Sequence, residues 1–359
     1  MLFRASQDSI KSVFQFLAKV PFSKYFLHRL SELARGKCIA YFTVHRILDD
    51  TPQDRVHPHY LNKTAITIKQ AQRALTHLNR HLPFITLADS LHYLMGRRSL
   101  TQSSAVLLIE VPYVKTVRLI KPLLEDLKIP ATIVLNTESL SDGRMPWMDE
   151  IVYRVANAKR QELAVNFIDR SFRLISVADR ISAANHLIEH ISHAKQSTLV
   201  TRLNQLREAL PEVAVPEAGE RICSMEQIDK LSLNPLFSFI SGGKSRLPLY
   251  DITLLDAKTE IIDAMAEQNA LLCRSFFPVF FNSFGIDKRR HHEIIKLMME
   301  NGLQAAISKA QGVCRPGDNM FRLTSLPLNS KSFAQFEMQG IANAVDEFLL
   351  VTLAKDEEL

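Results

Sequence analysis

Cysteine is scarce: Cys38, Cys223, Cys273 and Cys314 lie far apart in 359 residues, with no C-x-x-C pair among them. That spacing excludes a disulfide framework and a cysteine zinc knuckle, and leaves reduced, mostly buried thiols. No apolar run approaches the roughly 20 residues of a membrane span. The Lys/Arg clusters that a nucleic-acid footprint would show are also missing, although the formal net charge is +6. The basic residues are spread out, so nucleic-acid binding is not expected. The opening stretch MLFRASQDSIKSVFQFLAKVPF has no continuous apolar core, because Gln7, Asp8, Lys11 and Gln15 interrupt it, and no small-residue cleavage site follows. A cleaved export signal is therefore not expected, and the expected location is cytoplasmic. One further absence matters below: no histidine stands between His193 and His291.

What is present is apolar residue, 47% of the chain, enough for a large core without staples. The most informative stretch is Ala105 to Asn136. Val106 to Ile109 is an unbroken apolar run, as a parallel strand covered on both faces requires. From Lys115 to Leu127, Val117, Leu119, Ile120, Leu123, Leu124 and Leu127 share one helical stripe, with Lys121, Glu125 and Lys128 opposite. Ile129 and Pro130 break that helix, and Ala131 to Leu135 forms a second strand. A strand, a crossover helix and a strand imply a parallel α/β fold, whose chemistry sits where strands end. That rule selects Glu110, Val111 and Tyr113 after the first strand and Asn136 after the second.

The alternation continues on both sides. Cys38 to Val44 reads as the first core strand, with His45 and Arg46 at its end. Asp49 to His59 reads as a polar loop, Ile66 to Leu82 as a helix, Phe84 to Thr86 as a short strand, and Leu87 to Met95 as a helix. Trp147 to Val155 is helical. Residues 158–222 differ in character, with strands at Leu163 to Ile168 and Phe172 to Ile175, charged helices from Val177 to Leu210, and a Pro/Glu/Gly linker. The pattern resumes with helices at Met225 to Leu231, Leu254 to Gln268 and Lys288 to Asn301, and strands at Phe237 to Ile240, Phe276 to Phe281 and Ala305 to Ile307. The expected organisation is an N-terminal helical arm (1–36), a first barrel part (37–157), an inserted or cap region (158–222), a second barrel part (223–330) and a C-terminal helix (331–359). The arm's apolar spacing over 6–35 fits either a membrane-surface helix pair or helices packed on the main domain.

Three stretches resemble the polysaccharide deacetylase (NodB-homology) family over about 38–157 and 222–330. YFTVHRIL (41–48) is similar to its opening strand. VLLIEVPYVKTVRLIKPLLEDLKIPATIVL (106–135) is similar to its Thr-Phe-Asp-Asp-Gly-Tyr motif with the following helix and strand. Met145-Pro146-Trp147 and SMEQIDKL (224–231) match the segments leading to its histidines. The resemblance implies a distorted (β/α) barrel with an N-terminal helical arm and an inserted helical subdomain. It also implies a reaction: an Asp and an H-x-x-x-H pair hold a divalent metal, and a preceding Asp activates water against an N- or O-acetyl carbonyl.

Carried over by register, Glu110 falls at the base position, Val111 at the metal-binding Asp, and Gly242 and Arg246 at the two histidines, while Tyr113 is kept. Pro112 replaces the glycine, and Ser283 and Ser325 stand where the family has proline and arginine. Valine has no lone pair, glycine no side chain, and arginine no acceptor. That set cannot bind zinc, so water would keep a pKa of about 16 rather than about 7. Glu110 alone would supply a factor of ~10²–10⁴, too little for amide hydrolysis. The expectation is a pseudo-deacetylase of surface-carbohydrate metabolism without metal or other cofactor. It would bind a carbohydrate, a polysaccharide precursor or a pathway protein, through His45, Tyr113, Asn136 and Arg246 beside a degenerate base, Glu110. An ion pair between Glu110 and Arg246 is expected where the metal would stand, able to grip an acidic sugar. The alternatives are an active carbohydrate hydrolase with an atypical or relocated site, and an adaptor working at a membrane surface through 6–35.

Other motifs carry less. His186, His190 and His193 have helical metal spacing but lack the H-E-x-x-H order. His291-His292-Glu293 opens a charged helix. Ser238 to Ser245 comes within one residue of a phosphate-binding loop, but Pro248 forbids the helix that should follow.

Overall fold

The computed structural model describes residues 37–328, apart from 56, 193–195, 212, 214–219, 250–251, 273–275, 284–290 and 311. The N-terminal arm, the C-terminal helix, His193 and Cys273 lie outside the described residues. Eleven strands are described: β1 Ile39–Val44, β2 Arg46–Leu48, β3 Ala65–Thr67, β4 Ser104–Ile109, β5 Ala131–Leu135, β6 Glu162–Val165, β7 Ile168–Arg173, β8 Phe237–Ser241, β9 Phe277–Asn282, β10 Ala305–Ser308 and β11 Leu323–Pro327. Seven of them close a barrel in the order β1-β11-β10-β9-β8-β5-β4, and every pairing is parallel. The expected (β/α) barrel of the deacetylase type is present.

The two-residue period of a strand decides which side chains fill the barrel. Ile39 and Tyr41 of β1, Val106 and Leu108 of β4, and Val134 of β5 share one buried cluster with Ile240, Val279, Phe281 and Ile307. Their neighbours Ala40, Phe42, Val44, Leu107, Ile109, Ile133 and Leu135 face the other way, against Leu75 and Leu78 of the helix Ile68–His81 and Ile120 and Leu124 of the helix Val114–Leu127. The helix Leu87–Leu94 adds Leu87, Leu91 and Leu94 to the interior cluster, and its Ser90 hydroxyl meets Tyr41 at 3.0 Å. One end of the barrel is thereby filled, which leaves the ends of the strands as the mouth.

Several expectations are corrected. Phe84 to Thr86 is not a strand; only a single bridge joins Phe84 to Ala105. Thr86 is consumed as the cap of the next helix, its hydroxyl accepting from Asp89 N. The stretch read as a polar loop holds two short helices, Pro52–Arg55 and Pro58–Leu61, and β3 pairs with β2 beyond it. The stretch around Ser325, to which no element was assigned, is β11, which closes the barrel between β10 and β1. The helix expected over Leu254 to Gln268 is interrupted by a π turn at Thr259–Asp263 and ends at Leu271.

Between β5 and β8, the antiparallel pair β6–β7 and the helices Val177–Ser192 and Gln196–Ala209 pack on the helix Trp147–Asn157. They form a separate core with Trp147, Ile151, Leu163, Leu187, Leu203 and Leu247. Polar locks hold the helix Trp147–Asn157: Glu150 accepts from Arg154 and Arg207 at 2.7 Å each, and Arg180 donates to the carbonyls of Val155, Ala156 and Ala158. Among the described residues no helix is long and apolar enough to cross a membrane.

The π turn places Glu260, 1% exposed, under the loop after β8. Its carboxylate accepts from Ser245 N and Leu247 N at 3.1 Å, and its main-chain oxygen accepts from Lys244 N at 2.9 Å. Gly243, at φ +91°, gives it room: a Cβ there would lie 2.6 Å from Glu260 Oε1. Burial outweighs the main-chain donors and pushes the Glu260 carboxyl from 4.5 up to about 8. A carboxyl raised on folding adds stability that is complete below pH 4.5 and is lost as the pH climbs to about 8. Urea unfolding across that window should show the wild type losing several kcal/mol relative to Glu260→Gln. Parallel curves for the two proteins would show that Glu260 is ionised throughout.

Candidate functional site at the barrel mouth

The ends of the strands converge on Glu110, which follows β4 and is 1% exposed. Lys309, following β10, places its Nζ 2.6 Å from Glu110 Oε2. Arg246, in the loop after β8, places Nη2 at 3.3 Å from the same oxygen and donates Nη1 to the Glu110 carbonyl at 3.3 Å. His45, following β1, approaches it with Nδ1 at 3.4 Å. Burial alone would raise the Glu110 carboxyl, but Lys309, then His45, then Arg246 outweigh it and hold it well below the usual carboxylate range. The expected Glu110–Arg246 pair therefore exists, with Lys309 as an additional cation.

Arg246 is fixed from several sides. Its backbone is left-handed at φ 57°, a conformation that costs a non-glycine residue on the order of 1 kcal/mol or more. Trp147 Nε1 donates to its carbonyl at 3.2 Å, and Ser283 Oγ accepts from its Nε at 3.2 Å. Glu260 holds the loop on both sides of it.

A second layer begins on the far side of His45. Its Nε2 lies 2.9 Å from Oδ1 of Asp149, in the first turn of the helix Trp147–Asn157. Burial opposes the charge of His45, but Asp149 and then Glu110 prevail and raise it above the ordinary imidazole value. Asp149 is held well below the carboxylate range against burial, chiefly by His45. The Tyr113 hydroxyl donates to Asp149 Oδ2. The guanidinium of Arg46 lies 3.7 Å from the Tyr113 ring centroid and pairs with Glu220, which His57 also meets at 3.3 Å. His59, on the short helix Pro58–Leu61, has Nδ1 3.0 Å from Thr64 Oγ1. Burial first, and Arg46 next, keep it neutral.

Of the residues singled out from sequence, His45, Glu110, Tyr113 and Arg246 belong to this network. Asn136 does not: its amide ties the Gly242 carbonyl at 2.8 Å, within the strand-end loop. The positions that the family resemblance assigns to metal ligands do not fit a metal. Val111 is packed with Tyr113 and Ile222 in a small apolar cluster, and a Cβ on Gly242 would stand 2.6 Å from Val134 Cγ1. Arg246 fills its position with a cation. Elsewhere in the mouth, ligand atoms of His45, His59 and Asp149 lie within 4.8 Å of one another. His186 and His190 instead lie against Phe172 and Phe167.

Sequence reading missed His59, Asp149 and Lys309. Lys309 follows β10 and was open to the strand-end rule; His59 lies on a single helical turn without a motif, and the Met145-Pro146-Trp147 match before Asp149 does not single that residue out.

The arrangement is that of a deacetylase-type barrel whose mouth carries a charged network. No family model and no curated protein matches the sequence. In three dimensions the chain is similar to the Streptococcus pyogenes deacetylase PplD in complex with acetate, with a TM-score of 0.55 and 8% identity over 84% of this chain and 97% of that one. It is also similar to IcaB from Ammonifex degensii, with a TM-score of 0.50 and 15% identity over 84% and 97% of the two chains. At these identities the likeness establishes the fold.

A buried carboxylate shared by two cations should show strong coupling. In a double-mutant cycle on Glu110→Gln and Arg246→Met, the double variant should be more stable than the sum of the single losses by about 1–3 kcal/mol in urea unfolding. Additive losses would mean that Lys309 alone satisfies Glu110.

Proposed function

We propose that this chain is a polysaccharide deacetylase relative of surface-carbohydrate metabolism that has given up the family's metal-dependent hydrolysis and retains the barrel mouth to bind a carbohydrate. The observation that carries this reading is the Glu110–Arg246–Lys309 cluster: two fixed cations converge on the position that the resemblance gives to the base. A guanidinium and an ammonium supply positive charge but no open coordination site and no activated water. The likeness of the barrel to PplD and the sequence motifs at 41–48 and 106–135 support the family assignment.

The ligand favoured by this surface is an anionic sugar. Lys309 is 31% exposed, whereas Glu110 and Arg246 are each 1% exposed in their side chains. Lys309 is thus the cation that can reach a carboxylate arriving from solvent, with Arg246 fixed behind it. A protein partner from the same pathway and membrane contact through 6–35 are the other readings, and the residues that bear on the second lie outside the described part of the chain.

Purified protein supplied with Zn²⁺ or Co²⁺ should leave chitin oligosaccharides and acetylated aryl esters at background hydrolysis. It should bind a uronic-acid oligosaccharide in calorimetry, about tenfold more weakly after Lys309→Ala, the loss of one charge-assisted hydrogen bond. Deacetylation that Glu110→Gln removes, or oligosaccharide binding equal in wild type and Lys309→Ala, would overturn the proposal.

A further inference from the structure

His45, His59 and Asp149 come from three separate elements, the end of β1, the short helix Pro58–Leu61 and the first turn of Trp147–Asn157. None stands at a position where the family resemblance places a metal ligand. Yet they offer two imidazoles and a carboxylate with ligand atoms within 4.8 Å of one another. Four-coordinate zinc with bonds of ~2.0–2.1 Å sets its ligand atoms about 3.3 Å apart, so the three groups need only small side-chain adjustments to share an ion. His45 Nε2 and Asp149 Oδ1 are already 2.9 Å apart.

The stronger observation is the second layer. Each of the three has a hydrogen-bonding partner outside the group. Glu110 Oε2 lies 3.4 Å from His45 Nδ1, Thr64 Oγ1 lies 3.0 Å from His59 Nδ1, and the Tyr113 hydroxyl donates to Asp149 Oδ2. Nε2 of both histidines and Oδ1 of Asp149 are the atoms that these outer partners do not engage. Outer partners of this kind, a carboxylate or hydroxyl on the far nitrogen of each imidazole, are what orient the ligands of metal sites.

A purely structural ion network accounts for His45, which bridges two carboxylates. It does not account for a second buried imidazole, His59, with a ligand atom within 4.8 Å of those of His45 and Asp149.

We propose that His45, His59 and Asp149 form a binding site for a divalent first-row cation of the zinc type. Two nitrogens and one oxygen suit Zn²⁺, Co²⁺ or Fe²⁺, and three protein ligands leave a position for a water or a ligand oxygen. The site lies beside the position the family uses and is built from other residues. It goes beyond the carbohydrate-binding reading and does not rest on it.

The test is titration of the metal-stripped full chain with Co²⁺, followed by visible absorption, and with Zn²⁺ by calorimetry. One equivalent of each should bind. Binding should be lost in His59→Gln and Asp149→Asn, weakened ~10–100-fold in Thr64→Val, and unchanged in His186→Gln, with thermal unfolding showing which variants are folded. If Asp149→Asn does not fold, His59→Gln and Thr64→Val decide. A folded wild type that binds no Co²⁺ at 100-fold excess, or binding that survives His59→Gln, would overturn the site. Neither result depends on hydrolysis or on oligosaccharide binding, so the carbohydrate reading stands or falls separately.

Discussion

A carboxylate withdrawn from water must find positive charge or take up a proton, and Glu110 at the mouth of this barrel finds positive charge. Lys309, Arg246 and His45 come to it from the ends of three different strands. Removing Glu110 would leave the buried Arg246 without its carboxylate, at a cost of several kcal/mol. The loops that deliver them are therefore as constrained as the strands. The loop after β8 shows this most plainly: Glu260 holds it from below, Trp147 caps the Arg246 carbonyl, and Asn136 and Gln268 bind Gly242 and Gly243.

The same network joins the barrel to the unit between β5 and β8. Asp149 sits on a helix whose apolar side faces the separate core with Leu163, Leu187 and Leu203, yet its carboxylate reaches His45 and Tyr113 on the barrel side. Glu150, the next residue, pairs with Arg154 and Arg207. Two adjacent acidic residues thus serve different purposes, one in the mouth of the barrel and one in fastening the helix that aims it. Rigid support on an element, rather than on a loop, is what a precise constellation requires.

Much of the barrel was legible in the sequence. β4, its helix and β5 follow from an apolar run, a 3.6-residue stripe and a Pro break, and the Glu110–Arg246 pair follows from strand ends and family register. The hidden parts have physical reasons. β11 is five residues long, ends in Pro327, and carries no pattern that distinguishes it from a loop. Pro52–Arg55 and Pro58–Leu61 are single helical turns, too short for any periodicity, so His59 was read as part of a polar loop. Asp149 was legible as a helix-starting acid, but only tertiary packing brings it to His45. Asn136 shows the opposite failure: the strand-end rule selects it, and its side chain turns to the neighbouring loop carbonyl instead of the mouth.

The central claim is that fixed cations hold Glu110 ionised in the barrel mouth. Carboxyl carbon chemical shifts of ¹³C-glutamate-labelled protein, with Glu110→Gln used to assign the resonance, measure this directly across a pH titration. The account predicts that the Glu110 resonance stays in its ionised position until well below pH 4.5, where exposed glutamates have already titrated. A Glu110 midpoint at or above 4.5 would contradict it, because burial would then be winning over Lys309, His45 and Arg246.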